Sequence, residues 1–253
     1  MKKNNLFIYF TGLFLLVFAA CEKDYQGSLM TQPNVGPIAD MANIQYYNST
    51  LNSVRTYLYV DNVLVSGSAT GYAASSLYPS TSPSRITLSP GSRAITVKDT
   101  LATTTQTPVS VTGNFEAGSS YTVFSYDTLN KAKALFVKDN IVVPEDTTAR
   151  VRFANMIYSA TAVPNIDVYS VRKQGNVFTN VPTSTVTDFI TYAAATPLSD
   201  TLFVRATGTT TNLATLAGFN ATRKRSYTMV FRGRYQTTGT TGVARTLTSF
   251  TSY

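Results

Sequence analysis

The sequence predicts an all-β protein made of two tandem immunoglobulin-like β-sandwich domains. Three observations support this fold class. Apolar residues alternate with polar ones, no stretch after residue 40 follows the helical period of about 3.6, and the chain aligns with itself at an offset of about 107 residues. Gly, Pro, Asn and Ser clusters separate the apolar runs, as is typical of short strands joined by turns. Strand number and spacing leave a barrel open as the alternative.

Matching segments carry the internal repeat. Residues 42–48 align with 149–155, 94–98 with 201–205, and 120–123 with 226–229. Within each copy the alternation is regular, as in Ile44 and Tyr46 or Leu202 and Val204. A period this long exceeds that of a solenoid repeat. We therefore expect two homologous domains, 41–143 and 149–253.

The first twenty residues predict a signal peptide. Lys2 and Lys3 precede an apolar run, 6–20, whose helical length of about 22 Å is shorter than the ~30 Å hydrocarbon core. Phe18-Ala19-Ala20-Cys21 resembles the lipobox of bacterial lipoproteins, in which the chain is cut before the cysteine and the cysteine is acylated. The resemblance implies a signal peptide over 1–20 and a lipid anchor on Cys21. An ordinary signal peptide followed by a chance cysteine is the alternative.

The residues after Cys21 carry a second resemblance. Glu22-Lys23-Asp24 is similar to the signal that exports many Bacteroidetes lipoproteins to the outer face of the outer membrane. The resemblance implies that Lys23 and Asp24 direct export, with a periplasm-facing lipoprotein as the alternative. We expect 21–40 to form a lipidated, flexible tether, because residues 22–40 have no apolar period, and these 19 residues reach roughly 25 Å.

Composition excludes most catalytic classes. The chain has no His and one Cys, so it lacks a Ser-His-Asp or Cys-His nucleophile, an imidazole base and a His metal ligand. Two carboxylates can cleave glycosides, but nothing in the sequence brings Asp99 and Glu116 together. The pairs Asp61–Asn62 and Asp139–Asn140 are interpreted as turn residues rather than a calcium loop. We expect no enzymatic activity, no metal and no cofactor.

Four segments together resemble a known family. They are Arg150-Val-Arg-Phe-Ala-Asn155, Ile166-Asp167-Val168-Tyr169, Pro90-Gly91 with Ile95-Thr-Val97, and Gly118-Ser-Ser-Tyr121-Thr-Val123. This order is similar to that of the DUF4397 family of bacterial envelope proteins, over both copies. The second copy has Leu198-Ser199-Asp200 where the first has the Pro-Gly turn. The resemblance implies a β-sandwich envelope protein and supplies no catalytic residues.

Basic residues are concentrated in the second copy, where 149–253 contains 11 basic and three acidic residues. The densest group is Arg223, Lys224 and Arg225, followed by Arg232 and Arg234 on the next predicted strand. We expect these five cations to flank one sheet edge, where they suit phosphate or acidic sugars. The alternative is charge that protects an edge strand from aggregation. Nucleic acid is not expected as a partner of an exported, anchored chain.

Three tyrosines are candidates for a binding surface. Tyr57, Tyr59 and Tyr169 are expected to point away from the face that carries Leu58, Val60 and Val168. Outward aromatic rings can stack on sugars or contact partner proteins. Ordinary surface tyrosine is the alternative.

A recurring triplet marks four threonines. Asp followed by Thr and then an aliphatic residue or Thr begins at Asp99, Asp127, Asp146 and Asp200. The triplet resembles the O-glycosylation acceptor of Bacteroidetes envelope proteins, which implies Thr100, Thr128, Thr147 and Thr201 as modified residues. The alternative is Asp as a turn residue before a strand.

These features together predict an outer-membrane-anchored surface lipoprotein that acts as a non-catalytic binding or structural module. Its expected partners are the membrane, through the lipid, and a glycan or an envelope protein. The alternative is a periplasm-facing lipoprotein that scaffolds an envelope complex through its basic second domain.

Overall fold

The computed structural model describes residues 38–72, 76–103, 106–194, 198–239 and 241–253. Their regular elements are strands and the short 3₁₀ turns Ile38–Asp40 and Leu129–Lys131. The first set of strands is β1 Ala42–Asn48, β2 Thr56–Val60, β3 Val63–Leu64, β4 Leu77–Tyr78, β5 Ile86–Leu88, β6 Gly91–Asp99, β7 Val109–Phe115, β8 Ser120–Tyr126 and β9 Lys133–Asp139. The second set is β10 Ala149–Tyr158, β11 Ile166–Ser170, β12 Gly175–Val181, β13 Thr185–Val186, β14 Ile190–Tyr192, β15 Asp200–Ala206, β16 Asn212–Phe219, β17 Ser226–Arg234 and β18 Thr246–Thr251.

The described strands form four sheets, two from each set. The first set gives the orders β4-β1-β8-β9, with β5 also paired to β1, and β3-β2-β6-β7. The second set gives β13-β10-β17-β18, with β14 also paired to β10, and β12-β11-β15-β16. Strands β10 to β18 therefore pair in the same order as β1 to β9. In both sets the first strand runs parallel to the eighth.

Each set packs its two sheets face to face around its own core. Ile44 and Tyr46 on β1 meet Leu58 on β2 and Ile95 and Val97 on β6, all essentially inaccessible to solvent. The second core is equivalent and is formed by Val151, Phe153, Ile166, Val168, Leu202, Val204 and Met229, among others. Alternation puts these side chains on one face of each strand. The predicted all-β sandwich fold is confirmed, and separate sheets take the place of the barrel alternative.

The predicted turn residues behave differently at their two positions. Asp61 and Asn62 have φ of 50° and 65° and join β2 to β3, which confirms the hairpin turn. Asp139 ends β9, and the Ile141 N–H donates to its carbonyl at 2.8 Å, so the chain also turns there. The carboxylate of Asp139, however, is buried in ion pairs and not at a solvated turn.

A third core joins the two sandwiches. It packs Tyr47 on β1 and Phe124 on β8 against Met156 on β10, Val230 on β17 and Phe250 on β18. The sheets containing β1 and β10, called the inner sheets below, therefore face each other across this contact, which we call the seam. The outer sheets are β3-β2-β6-β7 and β12-β11-β15-β16, so 37–253 is one compact unit of four stacked layers. Within the described ranges, no helix has the length and apolar character needed to cross a membrane.

Candidate functional site

The outer face of the first outer sheet carries an aromatic groove. Tyr57 and Tyr59 alternate with the buried Leu58 and Val60 and point away from the core, as predicted. Tyr59 lies opposite Thr96 on β6, and the Thr96 hydroxyl is 2.8 Å from that of Ser110 on β7. Together with Lys98 and the Asn62 turn, these groups line a groove of about 360 Å³.

The outer face of the second outer sheet carries a similar arrangement. Tyr169 stacks on Phe203 of β15 with ring centroids 6.5 Å apart. The guanidinium of Arg205 lies 4.1 Å from the Tyr169 centroid and 5.4 Å from that of Phe203. Asn212 on β16 accepts a hydrogen bond from Arg205 Nε at 2.8 Å and fixes the guanidinium over the rings.

The two outer faces match position by position. Tyr59 follows the buried Leu58 as Tyr169 follows the buried Val168, and Lys98 follows Val97 as Arg205 follows Val204. Each outer face therefore presents an outward tyrosine and, on the neighbouring strand, a cation, and the first face also presents Tyr57 directly opposite Lys98. Such a surface offers a ring to the C–H face of a sugar and a charge to a polar or anionic group.

A family model described as a domain of unknown function, DUF4397, matches residues 42–169. The chain belongs to the DUF4397 family. The match begins at the first residue of β1 and ends on β11, so it runs past residue 143, the predicted end of the first domain. No curated protein matches the chain.

The seam of this DUF4397 protein contains an ion cluster that the sequence analysis missed. Asp139 on β9 pairs with Arg152 on β10 at 2.6 Å and with Arg85 at 2.8 Å, and all three side chains are buried. Thr122 donates to Asp139 at 2.7 Å. Burial lowers the pKa of Arg152, and the charge of Asp139 opposes that shift. The cluster joins the two sandwiches through charge as well as apolar contact.

Runs of consecutive apolar residues in the inner strands could have indicated from the sequence that the inner sheets are covered on both faces. Strands buried on one face alternate, whereas strands buried on both faces are apolar at successive positions. Val123–Phe124 on β8 and 229–231 on β17 are such runs. Arg152 occupies a position that alternation assigns to solvent, but the opposite inner sheet covers it.

The five predicted cations do not form one cluster. Strand β17 lies between β10 and β18, so the predicted sheet edge is wrong, and protection of an edge strand is wrong for the same reason. Arg223, Lys224 and Arg225 are exposed at the turn before β17. Arg232 and Arg234 lie near its far end, about 23 and 30 Å from Arg225 along the strand. Anion binding stays a prediction for each group separately.

Two aspartates of the Asp-Thr triplets organise loops in this DUF4397 chain. Asp99 accepts hydrogen bonds from the Val54 and Arg55 N–H groups at 2.9 and 3.0 Å. Asp200 accepts from the Ser170 hydroxyl and the Arg172 N–H, and its carboxylate also contacts the Tyr192 hydroxyl. Asp99 is the last residue of β6 and Asp200 the first of β15, so of these two only Asp200 stands at the start of a strand, as the turn interpretation requires.

The remaining triplets are more exposed. Asp146 accepts from the Thr148 N–H at 2.8 Å, a local turn, and Asp127 pairs with Lys133 at 3.0 Å. Among the four threonines Thr147 is exposed, whereas the others are partly buried, namely Thr100, Thr128 and Thr201. Their glycosylation stays a prediction.

The candidate carboxylate pair is far apart. In the β6–β7 register Gly91 lies opposite Phe115, so Glu116 is at one end of β6 and Asp99 at the other, about 26 Å away. Glu116 is exposed and pairs with Lys138 at 2.6 Å. The two acids cannot act on one glycosidic bond, whose catalytic pair is about 5 to 9 Å apart. Across the described residues, no group of three His, Cys, Asp or Glu could hold a metal ion.

The predicted anchor cannot be placed. Cys21, Lys23 and Asp24 lie outside the described residues, as do the signal peptide 1–20 and nearly all of the tether 21–40. Lipidation and export of this DUF4397 protein therefore stay predictions from the sequence.

Proposed function

We propose that this DUF4397 protein is a Bacteroidetes-type surface lipoprotein, anchored in the outer membrane through Cys21, that acts as a non-catalytic binding module. The observation that carries the binding role is the repeated tyrosine and cation on the two outer faces, Tyr59 with Lys98 and Tyr169 with Arg205. The tyrosines suit stacking on sugar rings, and the neighbouring hydroxyl and amide groups suit hydrogen bonds to sugar hydroxyls.

We further propose that the chain contains two tandem copies of one domain, 41–143 and 149–253. The common strand order of β1 to β9 and β10 to β18 supports this. So does the equivalent position of the outward tyrosine in each set. The two copies then give the protein two binding faces of related chemistry.

The binding role is tested with a panel of immobilised envelope and host glycans. The variants are Tyr59→Ala and Tyr169→Ala, each of which removes one outward ring. The control is Thr112→Ala, an exposed residue on the same outer sheet as Tyr59 but outside its groove. Weaker glycan capture in each single variant and loss of capture in the double variant, with no change in the control, support the proposal. Capture that persists when both rings are absent refutes it.

The anchor and its orientation are tested by protease accessibility on intact cells. The comparison uses the native protein, a Cys21→Ala variant, and a variant with Lys23 and Asp24 replaced. Digestion in whole cells that disappears when Lys23 and Asp24 are replaced supports surface exposure. Protection until the outer membrane is opened refutes it.

A second function follows from the exposed turn Arg223-Lys224-Arg225. In this proposal the lipoprotein faces the periplasm and scaffolds an envelope complex through its basic second copy, with the turn as the contact. Crosslinking from positions 223–225 in the native envelope, compared with crosslinking from the exposed Thr112, tests it. Equal crosslinking from both positions rules out a specific contact at the turn.

Glycosylation at Thr100, Thr128, Thr147 and Thr201 belongs to the same proposal. Of these threonines Thr147 is the exposed one and is expected to be modified most fully. An intact-mass spectrum of the native protein that shows no added hexose mass refutes the modification.

A further inference from the structure

One end of the seam opens into a groove of about 470 Å³ whose walls come from both sandwiches. Serine and threonine residues dominate the lining, with Ser76, Ser80 and Ser82 on one side and Thr248, Ser249 and Thr251 on the other. None of the described residues that line it is acidic. The groove exists only because the two sandwiches dock, and it is separate from the outer faces.

An aromatic pair lies beneath these hydroxyls. Tyr47 and Phe250 stack across the seam with centroids 5.3 Å apart and an interplanar angle of 19°. The Tyr47 hydroxyl lies 2.9 Å from that of Thr248, which holds the ring in place. The groove therefore combines an apolar base with polar walls, as small-molecule sites commonly do.

Arg232 supplies the charge of the groove. Its guanidinium lies 4.6 Å from the Tyr72 ring centroid, and Nη1 donates to the Tyr72 carbonyl. Its buried Nε has no hydrogen-bond acceptor among the described residues. Arg232 also opposes the rise that burial causes in the pKa of Tyr47, so its positive charge acts within the groove. No acidic group in the described chain forms a salt bridge with Arg232.

A second groove at the seam has no unpaired cation among the described residues that line it. It measures about 340 Å³ and is lined by Asp127 and Lys133, among others. These two residues pair with each other at 3.0 Å. Its charges are therefore internally matched, whereas the cation of the first groove has no anionic partner in the described chain.

We propose that the Arg232 groove binds a sugar that carries a carboxylate. The carboxylate pairs with the Arg232 guanidinium, the sugar hydroxyls exchange hydrogen bonds with the serine and threonine walls, and the ring lies over the aromatic base. The volume lies within the range of about 300–1,000 Å³ found for ligand sites. This site goes beyond the proposed outer-face function and uses none of its residues.

The purified full-length protein is titrated separately with sodium glucuronate, glucose and inorganic phosphate. Binding is measured by ligand-observed NMR. Glucuronate is expected to bind saturably and at least about tenfold more tightly than glucose, because its carboxylate adds a charge-assisted hydrogen bond. It should also bind at least about tenfold more tightly than phosphate, because its hydroxyl groups add further hydrogen bonds. Arg232→Gln should weaken glucuronate binding about tenfold or more, and Arg232→Lys by less, because lysine keeps the charge but not the planar fork.

The matched control is Arg55→Gln, which changes an exposed arginine of the first sandwich that lies outside the groove. It should leave glucuronate binding unchanged. Because Arg232→Gln also removes the contact with Tyr72, Ser80→Ala provides a second variant at an exposed loop residue that lines the groove, with an expected loss of about threefold.

Several results would overturn the proposal. They are the absence of saturable glucuronate binding, an equal loss in Arg232→Gln and Arg55→Gln, or no loss in Arg232→Gln and Ser80→Ala. Phosphate that binds as tightly as glucuronate overturns the sugar assignment. Tyr59→Ala and Tyr169→Ala should keep full glucuronate binding, so failure of the outer-face proposal is distinguished from failure of this one.

Discussion

Replacing Arg152 with methionine removes the buried guanidinium of the seam and keeps much of the side-chain length. The native group pairs with Asp139 at 2.6 Å and donates to Thr228 at 2.8 Å and Thr122 at 3.1 Å. Removing one partner of a buried ion pair costs about 3–5 kcal/mol. Asp139 keeps Arg85 and Thr122, so we expect the lower end, about 3 kcal/mol, or roughly 100-fold in the unfolding equilibrium.

The reverse substitution should be worse. Asp139→Asn leaves both Arg85 and Arg152 buried without a carboxylate, so we expect a loss of about 5 kcal/mol. In the double variant, Arg152→Met with Asp139→Asn, neither buried charge of the Arg152–Asp139 pair remains. The loss should therefore be smaller than the sum of the single losses by about 1–3 kcal/mol.

Urea unfolding followed by far-ultraviolet circular dichroism measures these losses. Lys138→Met is the control, because the Lys138–Glu116 pair is exposed on both sides and its removal should leave the unfolding midpoint unchanged. The reasoning fails if Arg152→Met unfolds within about 0.5 kcal/mol of the native protein, the range of ordinary surface substitutions. It also fails if Asp139→Asn is the milder variant.

Two further predictions concern acid stability and backbone geometry. Burial raises the pKa of Asp200, but hydrogen bonds outweigh it and leave that pKa below its usual value. Asp200 therefore stabilises the fold above about pH 4, and urea unfolding at pH 7 and pH 3 should show a smaller acid-induced loss in Asp200→Asn. Gly208 and Gly233 have φ of +79° and +110°, but only at Gly233 would an added Cβ clash with the Ala244 carbonyl oxygen. Gly208→Ala should cost about 1 kcal/mol and Gly233→Ala about 3 kcal/mol or more by the same assay, and equal costs would contradict the clash.

The sandwiches were predictable because their cores obey a rule local to each strand. Ile44, Tyr46, Leu58 and Val97 alternate with polar residues and are all buried. Period-2 alternation needs no knowledge of which strands pair. The outward direction of Tyr59 follows from the same rule.

The seam was not predictable by that rule. Alternation assigns Arg152 and Asp139 to solvent, yet they are buried because a second inner sheet covers them. The packing of one sheet face on another depends on contacts between residues far apart in the chain. The sequence around a charged residue does not show whether an oppositely charged residue will lie beside it. The Arg232 groove was missed for the same reason, since one of its walls comes from residues 76–82, far from Arg232 in the chain.

The seam also determines how the proposed outer faces could be used. Stacked sheets lie about 10 Å apart, so the outer faces of four layers are separated by roughly 30 Å and point in opposite directions. A short oligosaccharide on Tyr59 therefore cannot also reach Tyr169 on the same molecule. Under the proposed function the protein binds two separate glycan segments, one on each side, and cross-links them. Because the ion cluster and the apolar contacts at the seam hold the layers together, a loosened seam should weaken this cross-linking before it weakens binding at either face.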